Sequence, residues 1–228
     1  VLIEGRNLGG TCVNVGCVPK KVMWQASHVI EAVEKEAAGY GIYAHVDKFD
    51  FAKLVENREN YIEFLHGAYQ RGLDSNKVEV IHGYAQFVDN PVISVDNQQF
   101  YGENILIATG ARPMPLAIPG GEYAKNSDDF FALTELPKHV LILGAGYIAA
   151  ELAGVMHGLG SQVTWAYRKA RPLRQFDTQI IESLVNLYQA RGITTKANHV
   201  PAKIEKTASG YEVTFENGAV LAIDYVLF

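Results

Sequence analysis

Apolar positions along the chain fall into two rhythms that take turns. Val22, Ala26, Val29, Ile30 and Val33 recur at helical spacing and predict a helix over residues 17–38, while Leu54, Ile62, Leu65 and Tyr69 predict a second over 51–73. Residues 5–16, rich in Gly, Asn and Thr, read as the loop before them. Short runs of β type follow at 78–82, 85–88, 92–95 and 105–109. Residues 110–121, dense in Pro and Gly, then separate this half from a second of similar style. There, strands at 139–143, 162–167 and 193–196 alternate with helices at 147–159 and 178–190, and the remainder reads as strands with a Glu216-Asn217-Gly218 turn. Strands alternating with helices imply parallel βαβ units, and the pattern occurs twice. The expected fold class is α/β, two nucleotide-type domains in tandem.

Both ends read as cut. Val1-Leu2-Ile3-Glu4-Gly5 is a strand ending in an acid and a turn. In dinucleotide folds such an acid follows a Gly-rich turn by about 20 residues and holds ribose hydroxyls, so that turn is expected upstream of Val1. Residues 222–228 form another apolar strand that stops, echoing residues 102–110 without the Ala108-Thr109-Gly110 ending. A fragment of a longer protein is therefore expected. The absence of a targeting signal gives a cytoplasmic expectation.

The second half carries the clearer chemistry. Gly144-Ala145-Gly146-Tyr147-Ile148-Ala149 fits G-x-G-x-x-A between a predicted strand and a predicted helix. Gly144 permits the tight turn, Gly146 lets backbone approach a pyrophosphate, and Ala149 allows close helix–strand packing. The helix N-terminus offers free N–H groups to the anion. An NAD site would show an acid at the end of the next strand. Here that strand runs into Arg168, Lys169, Arg171 and Arg174, with no carboxylate before Asp177. Guanidinium forks suit a phosphate dianion, so NADPH is the expected cofactor, with Arg168 and Arg174 as first choices and Lys169 and Arg171 as helpers.

Composition removes other classes. With 20 basic and 25 acidic residues the net charge is −5, which gives no electrostatic case for nucleic acid or an anionic membrane. Residues 140–156, the longest apolar stretch, include Glu151 and several glycines, too polar and short to span a bilayer. The 2 cysteines exclude a secreted disulfide scaffold, and no C-x2-C pair or H-E-x-x-H element points to metal. Cys12 and Cys17 instead form a C-x4-C spacing just before a helix, where the helix N-terminus and nearby Lys20 and Lys21 favour a thiolate. A redox-active dithiol is expected.

The run from Gly9 to Trp24, with Cys12-Val-Asn-Val-Gly-Cys17 and Val18-Pro-Lys-Lys21, resembles the redox-active disulfide motif of the pyridine nucleotide–disulfide oxidoreductases, most closely the glutathione reductase branch. The resemblance extends through Ile105-Leu-Ile-Ala-Thr-Gly110, Ile118-Pro-Gly120, Ser127-Asp-Asp-Phe-Phe131 and Gly144 to Leu152. It implies tandem Rossmann-like domains, both truncated: an FAD-binding domain over 1–111 and an NADPH-binding domain over 112–228. It implies FAD and NADPH as cofactors, glutathione disulfide as substrate and a homodimer. Cys12 is implied as the interchange thiol and Cys17 as the charge-transfer thiol beside the flavin. Lys20 would lie near the flavin N5, paired with Glu151, which also contacts the nicotinamide. Tyr147 resembles the gate over the nicotinamide pocket, with Ala145 and Ile148 in the same cofactor-binding turn. Glu4 would hold the adenosine ribose of FAD, and Gly10, Thr11, Ala85, Thr109 and Gly110 would line the flavin nucleotide. Tyr61 and Tyr69 match positions where glutathione disulfide packs, although on helical spacing alone they read equally as core.

Against the family pattern, the upstream FAD fingerprint, a later Gly-Asp segment and the dimerisation domain with its acid–base histidine are absent, so these residues alone are expected to be inactive. Within the family, a dihydrolipoamide dehydrogenase would favour NAD and an acid where Arg168 stands, whereas a trypanothione reductase shares the Val-Pro-Lys-Lys context and the arginines. A nucleotide-binding module with an inert dithiol is the alternative from another class.

Overall fold

The computed structural model describes residues 1–89 and 91–228, which divide into two compact units: Val1–Pro19 with Asn57–Arg112, and Lys20–Glu56 with Pro113–Phe228. The division falls inside two helices, α2 (Cys17–Glu31) and α3 (Phe51–Ser75), which follow β1 (Leu2–Glu4) and α1 (Gly10–Val15). Beyond Glu31 the chain keeps turning through a π-helical segment, Ala32–Glu36, and a 3₁₀ segment, Ala37–Tyr40. No helix among the described residues is long and apolar enough to cross a membrane.

In the first unit β1 pairs in parallel with β2 (Val80–His82), with Ile3 opposite Ile81. A separate antiparallel meander, β3 (Gln86–Asp89), β4 (Val92–Val95) and β5 (Gln98–Tyr101), follows. Asp96 and Asn97 turn the chain from β4 to β5 with φ of 47° and 66°, the two-residue turn whose twist suits a hairpin. Two expectations fail in this unit. Residues 5–16 are not all loop, because α1 forms within them. Residues 105–109 form no strand, and Leu106 is 91% exposed. A run apolar in both phases needs neighbours on both faces and both edges. Among the described residues the first unit's parallel sheet has only β1 and β2, and neither pairs with this segment.

After residue 113 the second unit runs through α4 (Ser127–Phe131) into a parallel sheet ordered β12-β6-β7-β8: β6 (His139–Leu143), β7 (Gln162–Tyr167), β8 (Thr194–Ala197) and β12 (Tyr225–Leu227). α5 (Tyr147–Leu159) and α6 (Thr178–Arg191) make the two crossovers. Alternation along the strands sorts the core. Leu141 and Leu143 of β6 and Ala166 of β7 join Ile204, Val213, Phe215 and Ile223 of an antiparallel sheet, β9 (Pro201–Thr207), β10 (Gly210–Phe215) and β11 (Val220–Ile223). The opposite phase carries Trp165, fully buried, whose ring meets Tyr188 of α6. The chain leaves β6 first toward β7 on one side and later returns to β12 on the other. The carboxyl end of β6 is thus the topological switch point, where ligands bind in open α/β sheets.

Candidate functional site

The dithiol lies in the first unit, and Gly16 brings its ends together. A Cβ built on Gly16 would stand 2.7 Å from Thr11 O and 3.2 Å from Cys12 Cα, so any side chain there would push the chain away from α1. Without one, Cys17 opens α2 directly against α1, and both thiols are free and exposed. The Cys12 thiol is pushed above its ordinary value, first by its side-chain hydrogen bond to Cys17, then by burial and the Cys17 charge, against a backbone hydrogen bond that lowers it. Around them Gly10, with φ of 59° and nothing within 4 Å of a Cβ, offers bare backbone beside exposed Thr11, and Gly110 (φ 71°) does the same.

The remaining first-unit candidates fare unevenly. Glu4 closes its own turn by accepting from Arg6 N at 2.8 Å. Ala85, Thr109 and Gly110 are exposed, the last two in the segment that forms no strand. Tyr61 and Tyr69 on α3 are 47% and 48% exposed, which removes the core reading of them.

In the second unit Lys20 Nζ lies 2.7 Å from Glu151 Oε1. The helices that carry them run side by side: seven residues further along each, a Cβ on Gly158 of α5 would stand 2.7 Å from Ser27 Cβ of α2. Equal spacing of the two contacts means near-parallel axes. Past them, Glu31 Oε1 receives Arg191 Nη2 at 3.2 Å.

The Gly-rich turn occupies the switch point. Gly144 has φ of 143°, and its Cβ position lies 3.5 Å from Ala149 Cβ, while a Cβ on Gly146 would meet nothing within 4 Å. Trp165 Nε1 donates to Gly144 O at 2.8 Å and Leu173 N donates to Ala145 O at 2.8 Å. That second bond lashes the basic segment against the turn. α5 starts at Gly146 with no side-chain cap, leaving its first N–H groups open beneath exposed Tyr147 and Ile148. α6, by contrast, is capped by Asp177, which accepts from Gln179 N and Ile180 N. The nearest carboxylate after β7 is thus occupied. Arg171 Nη1 donates to Thr178 Oγ1 at 2.7 Å, whereas Arg168 and Arg174 are exposed and pair with no carboxylate among the described residues.

One pair escapes sequence reasoning. Asn14, inside the C-x4-C insert, joins His66 of α3 at 2.7 Å. Helical periodicity places His66 on α3 and says nothing of what it meets.

The family described as pyridine nucleotide-disulphide oxidoreductase matches residues 1–228. A glutathione reductase of Yarrowia lipolytica is 40% identical over 231 residues, covering 95% of this chain and 49% of the relative. One of Schizosaccharomyces pombe is 38% identical over 237 residues, covering 100% and 51%. Among solved structures, the HOCl-induced flavoprotein disulfide reductase RclA of Escherichia coli superposes with a TM-score of 0.85 at 29% identity, covering 99% of this chain and 49% of that one. The chain spans about half the length of the relatives it matches. On this evidence the chain belongs to the pyridine nucleotide-disulphide oxidoreductase family.

Proposed function

We propose that the protein of which this chain is part reduces glutathione disulfide with electrons from NADPH, through FAD and the Cys12–Cys17 pair. The observation that carries the reading is the dithiol itself: two exposed thiols, near enough that Cys17 holds the Cys12 thiol above its ordinary value, joined by a turn that tolerates no side chain. In this reading the Cys12 sulfur, once deprotonated, attacks one sulfur of the substrate disulfide. The S–S bond breaks and the first glutathione leaves as a thiolate that takes up a proton. Cys17 then attacks Cys12 in the mixed disulfide and expels the second glutathione, so the pair gives up two electrons and ends as a disulfide. NADPH and FAD, when bound, supply the two electrons that restore the dithiol.

The residues fit both groups. Gly144, Ala145, Gly146, Tyr147 and Ile148 would hold the NADPH pyrophosphate and nicotinamide ends, over backbone that leaves room for an anion. Arg168 and Arg174, without carboxylate partners among the described residues, would take a 2′-phosphate. Glu4, Gly10, Thr11, Ala85, Thr109 and Gly110 would hold FAD. Lys20, kept in place by Glu151, would offer positive charge to the flavin ring. Tyr61 and Tyr69 would flank the substrate, residues 1–111 and 112–228 would form the FAD and NADPH domains, and the working protein would be a cytoplasmic homodimer.

The intact protein, assayed with glutathione disulfide, trypanothione disulfide and lipoamide against NADPH and NADH, tests this. Preference for glutathione disulfide with NADPH is expected, with Arg168→Ala and Arg174→Ala each raising KM for NADPH by about tenfold and leaving NADH nearly unchanged. Equal losses with both nucleotides refute the assignment of the basic segment, and a protein whose thiols never exchange refutes the enzyme.

A further inference from the structure

Asn14 is tied in three directions. Its Nδ2 donates to Leu8 O at 3.1 Å and to Gly10 O at 2.8 Å. Both amide hydrogens are then in use, and Oδ1 can only accept. His66 Nε2 lies 2.7 Å from that Oδ1, so Nε2 carries a proton and donates it. Glu63, one turn earlier on α3, sets Oε2 3.1 Å from Nδ1 of the same ring and fixes its plane.

The helix that Asn14 pins has little else to hold it. α1 is six residues long, starts at Gly9 with no side-chain cap, and opens with a long main-chain bond of 3.4 Å from Val13 N to Gly9 O. A helix this short does not sustain itself in water. Val13, buried, anchors it by packing, and Asn14 anchors it by hydrogen bonds. Between them they set the rotation of α1, and so the direction in which Cys12 faces Cys17.

We propose that His66 is a positioning residue for the dithiol, acting through Asn14. The ring donates to Asn14, Asn14 clamps the turn at Leu8 and Gly10, and the clamped turn holds Cys12 in hydrogen-bonding reach of Cys17. This rests on the reading of Cys12 and Cys17 as the exchanging pair.

Three forms of the intact protein test it: unsubstituted, His66→Phe, which fills the ring's space without a donor, and His66→Gln, which keeps an N–H for Asn14. After two-electron reduction, iodoacetamide is added and labelling of Cys12 and Cys17 is followed separately by peptide mass. His66→Phe is expected to shift the ratio of the two labelling rates about two- to tenfold, with a fall in kcat for glutathione disulfide of similar size, while His66→Gln stays near the unsubstituted ratio. A loss of stability alone would slow neither thiol selectively and would not be rescued by Gln. Equal ratios in all three forms, or equal shifts in Phe and Gln, overturn the proposal. An unsubstituted protein whose thiols fail to exchange with disulfide overturns the dithiol reading, and the proposal falls with it.

Discussion

Gly158→Ala tests whether the contact of α2 with α5 sets the second unit's geometry. The added Cβ would stand 2.7 Å from Ser27 Cβ and 3.1 Å from Ser27 Oγ. Carbon atoms rest about 3.5–4.0 Å apart, so the helices must part by about 1 Å. Neither helix can absorb this with a flexible tip, because Ser27 is buried and its hydroxyl already donates to Trp24 O at 2.7 Å. Overpacking of this kind costs roughly 1–3 kcal/mol, of which exchanging Gly for Ala in a helix returns about 1 kcal/mol. The net expectation is a loss of about 1 kcal/mol. In a Ser27→Gly background the obstructing Cβ is gone and only the helix term remains, so the same substitution should stabilise by about 1 kcal/mol. The predicted coupling between the two sites is about 2 kcal/mol, with a change of sign between backgrounds. Urea unfolding of the intact protein, read as a midpoint shift at constant slope, measures it. A Gly158→Ala effect that agrees in both backgrounds within about 0.5 kcal/mol would refute the close crossing, and with it the account of why Lys20 and Glu151 meet.

Other outcomes follow from the same geometry. Gly16→Ala forces α1 from α2, removes the hydrogen bond that holds the Cys12 thiol up, and should lower the midpoint of the pH profile for Cys12 alkylation; an unchanged profile would contradict the turn's role. Trp165→Phe leaves the partly buried Gly144 O without its indole donor, a loss of about 1 kcal/mol read as a lower unfolding midpoint together with weaker NADPH binding by the intact protein. Burial raises the phenols of Tyr167, Tyr188 and Tyr225 above the ordinary tyrosine value of 10.0. The folded form then holds more protons than the unfolded one as pH rises past 10, so the stability they contribute is present below that pH and declines above it. Phenolate absorbance should therefore lag the tyrosine content until the chain unfolds, and full ionisation in the folded protein near pH 10 would contradict their burial.

Local chemistry was legible in the order of residues. The 3.6-residue spacing in the future α2 and α3, the Gly144–Ala149 turn between strand and helix, the C-x4-C spacing and the run of Arg after β7 each depend on neighbours within one element, and periodicity reports on such neighbours directly. Residues 105–109 failed because strand-forming composition specifies a need for partners without supplying them. The hairpin at Asp96-Asn97 and the strand β5 that follows it went unread in the sequence, since the positive φ values of that turn are a property of the folded backbone. Contacts between distant segments were decided by tertiary structure alone. Whether Arg171 or Arg174 remained available depended on Thr178 coming within reach, and Asp177 was removed as a ribose ligand by capping α6. Lys20 met Glu151, 131 residues away, because Ser27 and Gly158 let two helices approach, and His66 met Asn14 across 52 residues. A pattern along the chain records which faces must be buried, and only packing fixes which side chains share the space that burial creates.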